Sequence, residues 1–538
     1  MAKREKPDNE PGLEQTANSR LAESRRQKES YWVLDFKECY FFTAPNRQRQ
    51  LSSQSSPPES RILDAAELQT SLAMLLCQDF ITEVVNTFMP EAQNWCKRGP
   101  GQFIPEDAWN KIKDDVAKDD DKIFEAMKAS NLYPEIAKAF FPDLAIGTVG
   151  LWIERRHTSK PIRVSAIPLR EIEASLGPDG EVDDRWAIRF TRNCYVRELL
   201  GAEIAAKLPV AVAAKIDKKP SERTEVRWGF WHIYDETGEE KWQSVVMVGD
   251  KMVHDAVLVG EGSCPLLIGR FNPSADWVWG LGPMIQGLPD FRQIDELEGQ
   301  KIENVEMHLT PPITFPDDSF TNIEQGLEPR MAYPIRPGTE GAVKKIYDAP
   351  PPDAAIYQHE EMEHRLRKLF FVDFPEQTGD TPPTLGQWLD QMARAQRRIG
   401  TPGLPFWQEV PAKIFLRFKY LLEKAGTIKP IEVNGVAVAL TPLNPTQRAA
   451  EQQDIATAAQ YLQMMLQTFP EEARVMIDGG ATMKNFAGKM RVAGEKGLIA
   501  FRKEDQQKAA AQLIAQLAGV RQKAGAAPPE EAGAPAAA

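Results

Sequence analysis

From Gly280 to Leu309 the chain reads GLGPMIQGLPDFRQIDELEGQKIENVEMHL, and this run constrains the fold more than any other. Met284, Leu288, Phe291, Ile302, Val305 and Leu309 fall on one stripe, with Ile294 and Leu297 beside it. Apolar residues three and four apart mark one face of an α-helix. The spacing predicts one long helix, bent or weakened at Pro289 and Gly299. A second helix is predicted in DAAIYQHEEMEHRLRKLFF, where Ala355, Met362, Leu366 and Leu369 stand seven, four and three apart. A stripe that narrow, between charged flanks, suits a helix packed on neighbours along one side only. Between the two helices, residues 310–352 are Pro-punctuated with short β-like pieces.

The rest of the chain divides around this pair, and 538 residues allow two to four units. Residues 31–141 read as mainly helical. In RILDAAELQTSLAMLLCQDFITEVVNTFMP, Ile62, Leu63, Ala66, Leu72, Leu75, Leu76, Phe80 and Val84 make a helical face that Pro90 ends. Residues 144–273 alternate like strands in GLWIERR, PIRVSAIP, EVRWGFWHIY, WQSVVMVG and PLLIGRF. Val226, Trp228, Phe230, His232 and Tyr234 share one strand face, with Trp231 and Ile233 on the other. Asp179-Gly180 signals a hairpin turn, and ELLGAEIAAKLP a short helix among the strands. After the second long helix, a polar segment leads into a further helix from about Leu385 to Glu423. GTPGLP at 400–405 interrupts it, while Trp407, Val410, Ile414, Phe418 and Leu421 keep its second half regular. A last helical region ends near Ala518. Residues 1–30 lack an apolar stripe and read as loosely ordered; the Ala/Pro-rich tail from Gly525 reads as disordered. The class is α+β.

Composition excludes several functions. No run of eighteen apolar residues offers a membrane span, and MAKREKPDNEPGLEQ has no apolar core for a secretory signal. Five scattered cysteines without a CxxC pair fit free thiols better than disulfides or zinc. GLGPMIQG lacks the Lys-Ser/Thr of a phosphate loop and reads as a helix start. KDDDK at 118–122 lacks calcium-loop spacing and reads as a solvated charge cluster at a helix end. His157, His232, His254, His308, His359 and His364 show no metal-ligand spacing, and no GxSxG elbow occurs. These patterns give no support for catalysis, a cofactor or a metal. A tight DNA-binding protein neutralises phosphates with a basic surface, whereas this chain carries a net charge of −12. Either it does not meet nucleic acid, or it meets it without holding on. RAQRR at 394–398 is a local exception, read as a solvated or subunit-facing helix surface; a DNA-binding reading needs the patch repeated around an assembly.

The chain resembles the podovirus-type head-to-tail connectors, the portal proteins of tailed bacteriophages, in the order of its segments from about Ala65 to Leu513. CPLLIGRFNPSADWVWGLGPMIQGLPDFRQIDEL resembles that family's most recognisable segment, a Pro-led strand, an Arg, an aromatic-Gly-x-Gly-Pro turn and then a long stem helix. RILDAAELQTSLAMLLCQDFI resembles its early helix, with MPEAQNW at the following turn. PIRVSAIPLREIEASLGPDGEVDDRWAIRFT resembles its wing strands, and LPFWQEVPAKIFLRFKYLLEKAG the helix that closes the wing. GTPGLP breaks the long helix more severely than the family pattern does.

The resemblance implies a portal fold assembled as a ring of twelve subunits, non-enzymatic and without cofactor or metal. It would comprise a flexible arm (1–30), a wing (31–282, helical to 143 and β-rich over 144–273), stem helices at 283–309 and 353–371, and a clip (310–352). A tunnel loop (372–384), a kinked long helix with wing return (385–442), a helical crown (443–518) and a tail (519–538) would follow. In the tunnel loop, Asp373, Phe374, Glu376, Gln377, Thr378, Gly379, Asp380 and Thr381 would face DNA. Phe315, Asp317, Asp318, Phe320, Lys344 and Lys345 of the clip would dock the motor and later the tail. Implied partners are the terminase large subunit, which would supply ATP hydrolysis, the major capsid and scaffolding proteins, tail or adaptor proteins, and double-stranded viral DNA passing through without sequence preference. No membrane is involved. The protein would sit at the capsid vertex of the virion, after assembly in the host cytoplasm. Two alternatives stay open on the residues alone: a ring-forming virion or tail adaptor with no DNA conduit, and an intracellular enzyme with a dispersed active site.

Overall fold

The computed structural model describes residues 12–45, 67–91, 93–100, 104–156, 161–234, 239–309, 313–314, 344–345, 353–372, 398–400, 402–430, 432–433, 436–437, 439–442, 458 and 461–464. The chain divides into two units, Met1–Thr446 and Gln447–Ala538. In the second unit the described residues are helical, with Tyr461 and Met464 exposed. All that follows concerns the first.

Its centre is two antiparallel sheets. Strands β2 (Thr148–Arg155), β3 (Ile162–Ile167) and β9 (Leu266–Arg270) form one, in the order β3-β2-β9. The other runs β4-β5-β6-β7-β8, from β4 (Ile172–Leu176), β5 (Val182–Arg192), β6 (Arg223–His232), β7 (Lys241–Val248) and β8 (Lys251–Val259). Trp152 of β2 meets Trp228 and Phe230 of β6 at centroid distances of 5.6 and 5.7 Å, which joins the sheets through one core. The Asp179-Gly180 turn joins β4 to β5, Gly180 taking φ 76°. Strand β8 was hidden in the sequence. A bulge opposite Val246 and Met247 interrupts the alternation of KMVHDAVLV, so no clean period of two shows.

The other face of β6 is also buried. Trp231 packs with Trp186, Ile188, Val245 and Met247, beneath Ala17 and Leu21 of helix α1 (Leu13–Tyr31). The N-terminal segment is therefore not loosely ordered from Leu13 onward, contrary to its polar sequence. Ala17 and Leu21, with Leu13 packed beside them, supply the apolar contact, and polar anchors add to it. Arg20 pairs with Asp184 at 2.6 Å, Arg25 with Glu225 at 2.6 Å, and the buried Lys28 donates to the carbonyls of Leu169 and Ile172 at 2.9 and 2.6 Å. Burial holds the Lys28 ammonium below its ordinary pKa and pushes the neighbouring Glu173 carboxyl up to about 7.

Helix α2 (Val33–Thr43) and helix α3 (Leu72–Phe88) carry the N-terminal core. Leu76, Phe80 and Val84 are buried as their spacing requires, but Leu75 is 54% exposed and the helix starts at Leu72; Ile62, Leu63 and Ala66 lie outside the described residues. Among the helices sits an unforeseen strand, β1 (Cys96–Gly99). Helix α4 (Glu106–Ala129) carries the KDDDK cluster in its interior, not at an end. Asp120 there is buried against Arg98, its carboxylate taking the Arg98 Nε–H at 2.6 Å and backbone N–H at 3.0 Å. Helices α5 (Leu132–Phe140) and α6 (Asp143–Ile146) lead into β2. Between β5 and β6 the expected helix is three short ones, α7 (Asn193–Leu200), α8 (Ala202–Ala205) and α9 (Val210–Lys218).

At the end of β6, His232 lies between two carboxylates, with Nδ1 3.2 Å from Asp183 and Nε2 3.9 Å from Glu240. Burial disfavours its charge, but bonding to Asp183 and Glu240 outweighs that and holds its pKa above 6.5. A histidine with a raised folded-state value adds stability fully present below the unfolded pKa and lost as pH rises through the folded one. From pH 6 into the mildly alkaline range, the melting temperature of the natural chain should therefore fall more than that of His232→Gln. Thermal melts across that range test this, and parallel slopes would count against it.

Candidate functional site

The long helix α10 (Pro283–Leu309) grows from a place where two stretches of backbone touch. Residues 145–147, just ahead of β2, cross residues 280–282, just ahead of α10. The Phe271 N–H donates to the Gly147 carbonyl at 2.8 Å, and the Gly282 N–H to the Ile146 carbonyl at 3.0 Å. The Gly280 N–H donates to the Thr148 hydroxyl at 3.0 Å. A Cβ on Gly280 would lie 2.1 Å from the Gly147 oxygen, and one on Gly282 2.2 Å from the Ala145 oxygen. Gly147 itself takes φ 133°. The glycines of GLGP are thus taken up by close backbone packing, which accounts for the motif without a phosphate.

From this root α10 runs unbroken through Pro289 and Gly299 and packs antiparallel on helix α11 (Asp353–Leu369). Gly287 faces Leu366 and Leu369, where a Cβ would come within 3.3 and 3.0 Å of their methyl groups; Glu298 reaches His359 at 3.3 Å. Phe291 meets Phe370 edge-on at 5.7 Å and Phe42 of α2 at 6.2 Å. Arg292 pairs with Glu38 of α2, and the Asp295 carboxylate accepts the backbone N–H groups of Gln69 and Thr70 at 2.9 and 3.1 Å. The apolar stripe changes role along its length. Met284, Leu288, Phe291 and Ile294 are buried, whereas Ile302, Val305 and Leu309 are 44%, 43% and 74% exposed.

The connecting segment 310–352 is pinned where it leaves and returns. Ile313–Thr314 (β10) pairs antiparallel with Lys344–Lys345 (β11), Ile313 opposite Lys345. Below α11, the Arg398 guanidinium reaches the Lys368 carbonyl at 3.4 Å. Residues 402–409 are helical, Val410 is a turn and helix α12 (Pro411–Lys424) follows, so among the described residues the break falls at Val410 and not within 402–405. Glu409 takes the Arg270 backbone N–H at 2.8 Å and its guanidinium at 2.5 and 2.9 Å, which ties this return to the edge of β9. The buried Arg417 of α12 donates to the carbonyls of Ile153, Gly262 and Ser263 at 3.0, 3.1 and 2.6 Å. Strand β12 (Glu432–Val433) pairs with β13 (Val436–Ala437), and β14 (Ala439–Pro442) with the distant β1.

Of the residues singled out from sequence, the backbone places Lys344 and Lys345 at the neck of the connecting segment, paired in β11. Phe315, Asp317, Asp318, Phe320 and the stretch from Asp373 to Thr381 lie outside the described residues. Among the described residues no three His, Cys, Asp or Glu side chains cluster to hold a metal ion, and no helix is long and apolar enough to cross a membrane. Sequence reasoning missed Asp295, Arg270 and Glu409. Each is a charged residue whose partner lies more than a hundred positions away, and no local pattern marks such a pair.

The family described as "Bacteriophage head to tail connecting protein" matches residues 14–493. Two solved structures are similar at low identity. One is a chain in the neck of an empty GTA particle computed with C6 symmetry, 8% identical, covering 78% of this chain and 90% of that one at a TM-score of 0.36. The other is a chain in the virion of a native gene transfer agent particle, 10% identical, covering 68% and 84% at a TM-score of 0.34. No curated protein matches the sequence.

The glycine crossing makes a graded prediction. Gly280→Ala forces a methyl group onto backbone and should cost more than about 4 kcal/mol. Gly299→Ala meets only the flexible Gln69 side chain at 3.5 Å and should gain up to about 1 kcal/mol from helix propensity. Thermal or urea unfolding of the two variants checks the order, and equal stabilities would remove the crossing from its structural role.

Proposed function

The chain belongs to the bacteriophage head-to-tail connecting protein family, and on that premise we propose that it is a portal, a ring at one capsid vertex through which viral DNA enters and leaves. The observation that carries this reading is the helix pair. α10 and α11 are rooted in the core at one end and joined at the other by a segment with paired β ends, an arrangement that supports reading them as a stem and the segment as a clip. The clip residues Phe315, Asp317, Asp318, Phe320, Lys344 and Lys345 would meet the terminase during packaging and the tail afterwards. A heterologous contact repeated with a closing rotation gives a ring, here of twelve subunits. Capsid and scaffolding proteins surround it in the virion.

Charge supports the conduit. Neutralising DNA phosphates with lysine and arginine creates a salt-dependent well, and a conduit with a deep well at each step would stall. The net charge of −12 avoids that, and so does the proposed tunnel loop. Over Asp373–Thr381 its sequence holds Asp373, Glu376 and Asp380 and no Lys or Arg. No ATPase chemistry is required of this chain, because the motor would bring it.

Purified protein viewed down its axis should show annular particles, with a mass near twelve times 60.3 kDa. A monomer or dimer in the presence of scaffold would overturn the portal reading, and rings unable to bind terminase would favour an adaptor. Deleting residues 375–382 should leave rings intact and impair packaging or retention of DNA, measured as genome-filled heads. Reversing Asp317 and Asp318 to Lys should weaken motor or tail docking in pull-downs without dissolving the ring.

A further inference from the structure

Where the bend between α1 and α2 meets the end of β4 and the loop ahead of α10, three tryptophans come together. Trp32, Trp277 and Trp279 line a pocket of about 350 Å³ together with Gln27, Ser175 and Asp276. That volume lies in the range of small-molecule sites. Trp32 and Trp277 meet edge-on, their centroids 5.7 Å apart and their planes at 78°, so two walls stand nearly at right angles. Phe36 of α2 packs on Trp32 at 5.8 Å and on Trp279 at 5.6 Å, which holds two of the rings in place before any ligand arrives. Trp279 is buried, whereas Trp277 is 41% exposed.

Charge decides what such a pocket takes. The protein already seats one ammonium on this cluster: Lys28 lies 5.4 Å from the Trp279 ring, and Glu173 matches its charge at 3.4 Å. The polar groups of the lining are also engaged, the Ser175 hydroxyl with Ser24 at 2.6 Å and the Gln27 amide with Glu23 at 3.1 Å. Asp276 is different. It is the charged residue of the lining, it is exposed, and among the described residues its carboxylate enters no ion pair or hydrogen bond. A carboxylate beside indole rings repels an anion and attracts a cation, and the negative faces of the rings add to that attraction.

We propose that this pocket binds an alkylammonium group, its charge against Asp276 and its carbon chain along Trp32 and Trp277. A lysine side chain of a protein partner and a free alkylamine share this chemistry. Bound there, the group would bridge the bend between α1 and α2 to the loop ahead of α10. The assignment stands apart from the portal reading, since it needs neither a ring nor DNA.

Titration of the full-length protein at constant ionic strength, followed by tryptophan emission, tests it. Nα-acetyl-lysine amide and n-butylamine should change the emission saturably in the millimolar range, while uncharged n-butanol should need about tenfold more. Asp276→Asn and Trp277→Leu, both at exposed positions, should keep the natural melting temperature and each weaken amine binding about threefold or more. Tighter binding of the lysine derivative than of butylamine would identify a protein partner as the source, and equal binding a free amine. No saturable change with either amine would overturn the assignment. Butanol binding as well as the amines, or amine binding unchanged in both variants, would overturn it too, and the portal reading would stand untouched.

Discussion

The contact on which the rest depends is the one made without side chains. Where residues 145–147 cross residues 280–282, two backbones approach closely enough that a Cβ would overlap a carbonyl oxygen. The crossing joins the end of the helical N-terminal region, the start of β2 and the start of α10. Its hydrogen bonds run from Phe271 and Gly282 to Gly147 and Ile146, so the three elements share one rigid joint. The neighbouring clamps act in the same place: Glu409 holds Arg270 at the edge of β9, and Asn272 bonds the Pro402 carbonyl at 3.2 Å.

Buried charge does much of the remaining fastening. Arg98–Asp120 joins β1 to the next helix, while Arg270–Glu409, Lys28 with its two carbonyls, and Arg417 with three carbonyls each cross between elements far apart in sequence. Burying one ion costs several kcal/mol unless partners satisfy it. Such contacts therefore add little net stability and penalise any misplacement of the elements they join. That would suit a subunit that has to present the same surfaces at every position of the proposed ring. Helix α1 is the clearest instance. Few of its contacts are apolar, and Arg20, Arg25 and Lys28 set its position on the outer face of the five-stranded sheet.

Much of the architecture was legible in the chain. The stripe from Met284 to Leu309, the alternating strands around Trp228, the Asp179-Gly180 turn and the regular half of the long helix all follow from local spacing. Most of the misreadings arise because a periodic pattern reports neither a partner outside its own element nor an irregularity in pairing. Polar α1 looked unstructured because its partner face, with Trp186 and Trp231, lies more than 150 residues away. Asp120 looked solvated because Arg98 is invisible to a helical wheel. Strands β1 and β14 found each other across more than 300 residues. The bulge between β7 and β8 broke the alternation that would have announced β8.

Helix α10 shows most plainly where sequence ends and structure begins. Sequence alone determined that α10 is one long helix with one apolar seam, because a heptad period permits no other regular element. It also determined that the chain is acidic and belongs with the head-to-tail connectors, since both reside in residue identity and order. Only the tertiary structure decided how the seam is used. Leu288 and Phe291 have α2 and α11 against them and are buried; Ile302 and Leu309 have the same spacing and stand in the open. Period says which side of a helix is apolar. What covers that side depends on which elements the fold brings alongside it, and here α2 reaches only the root half of the helix.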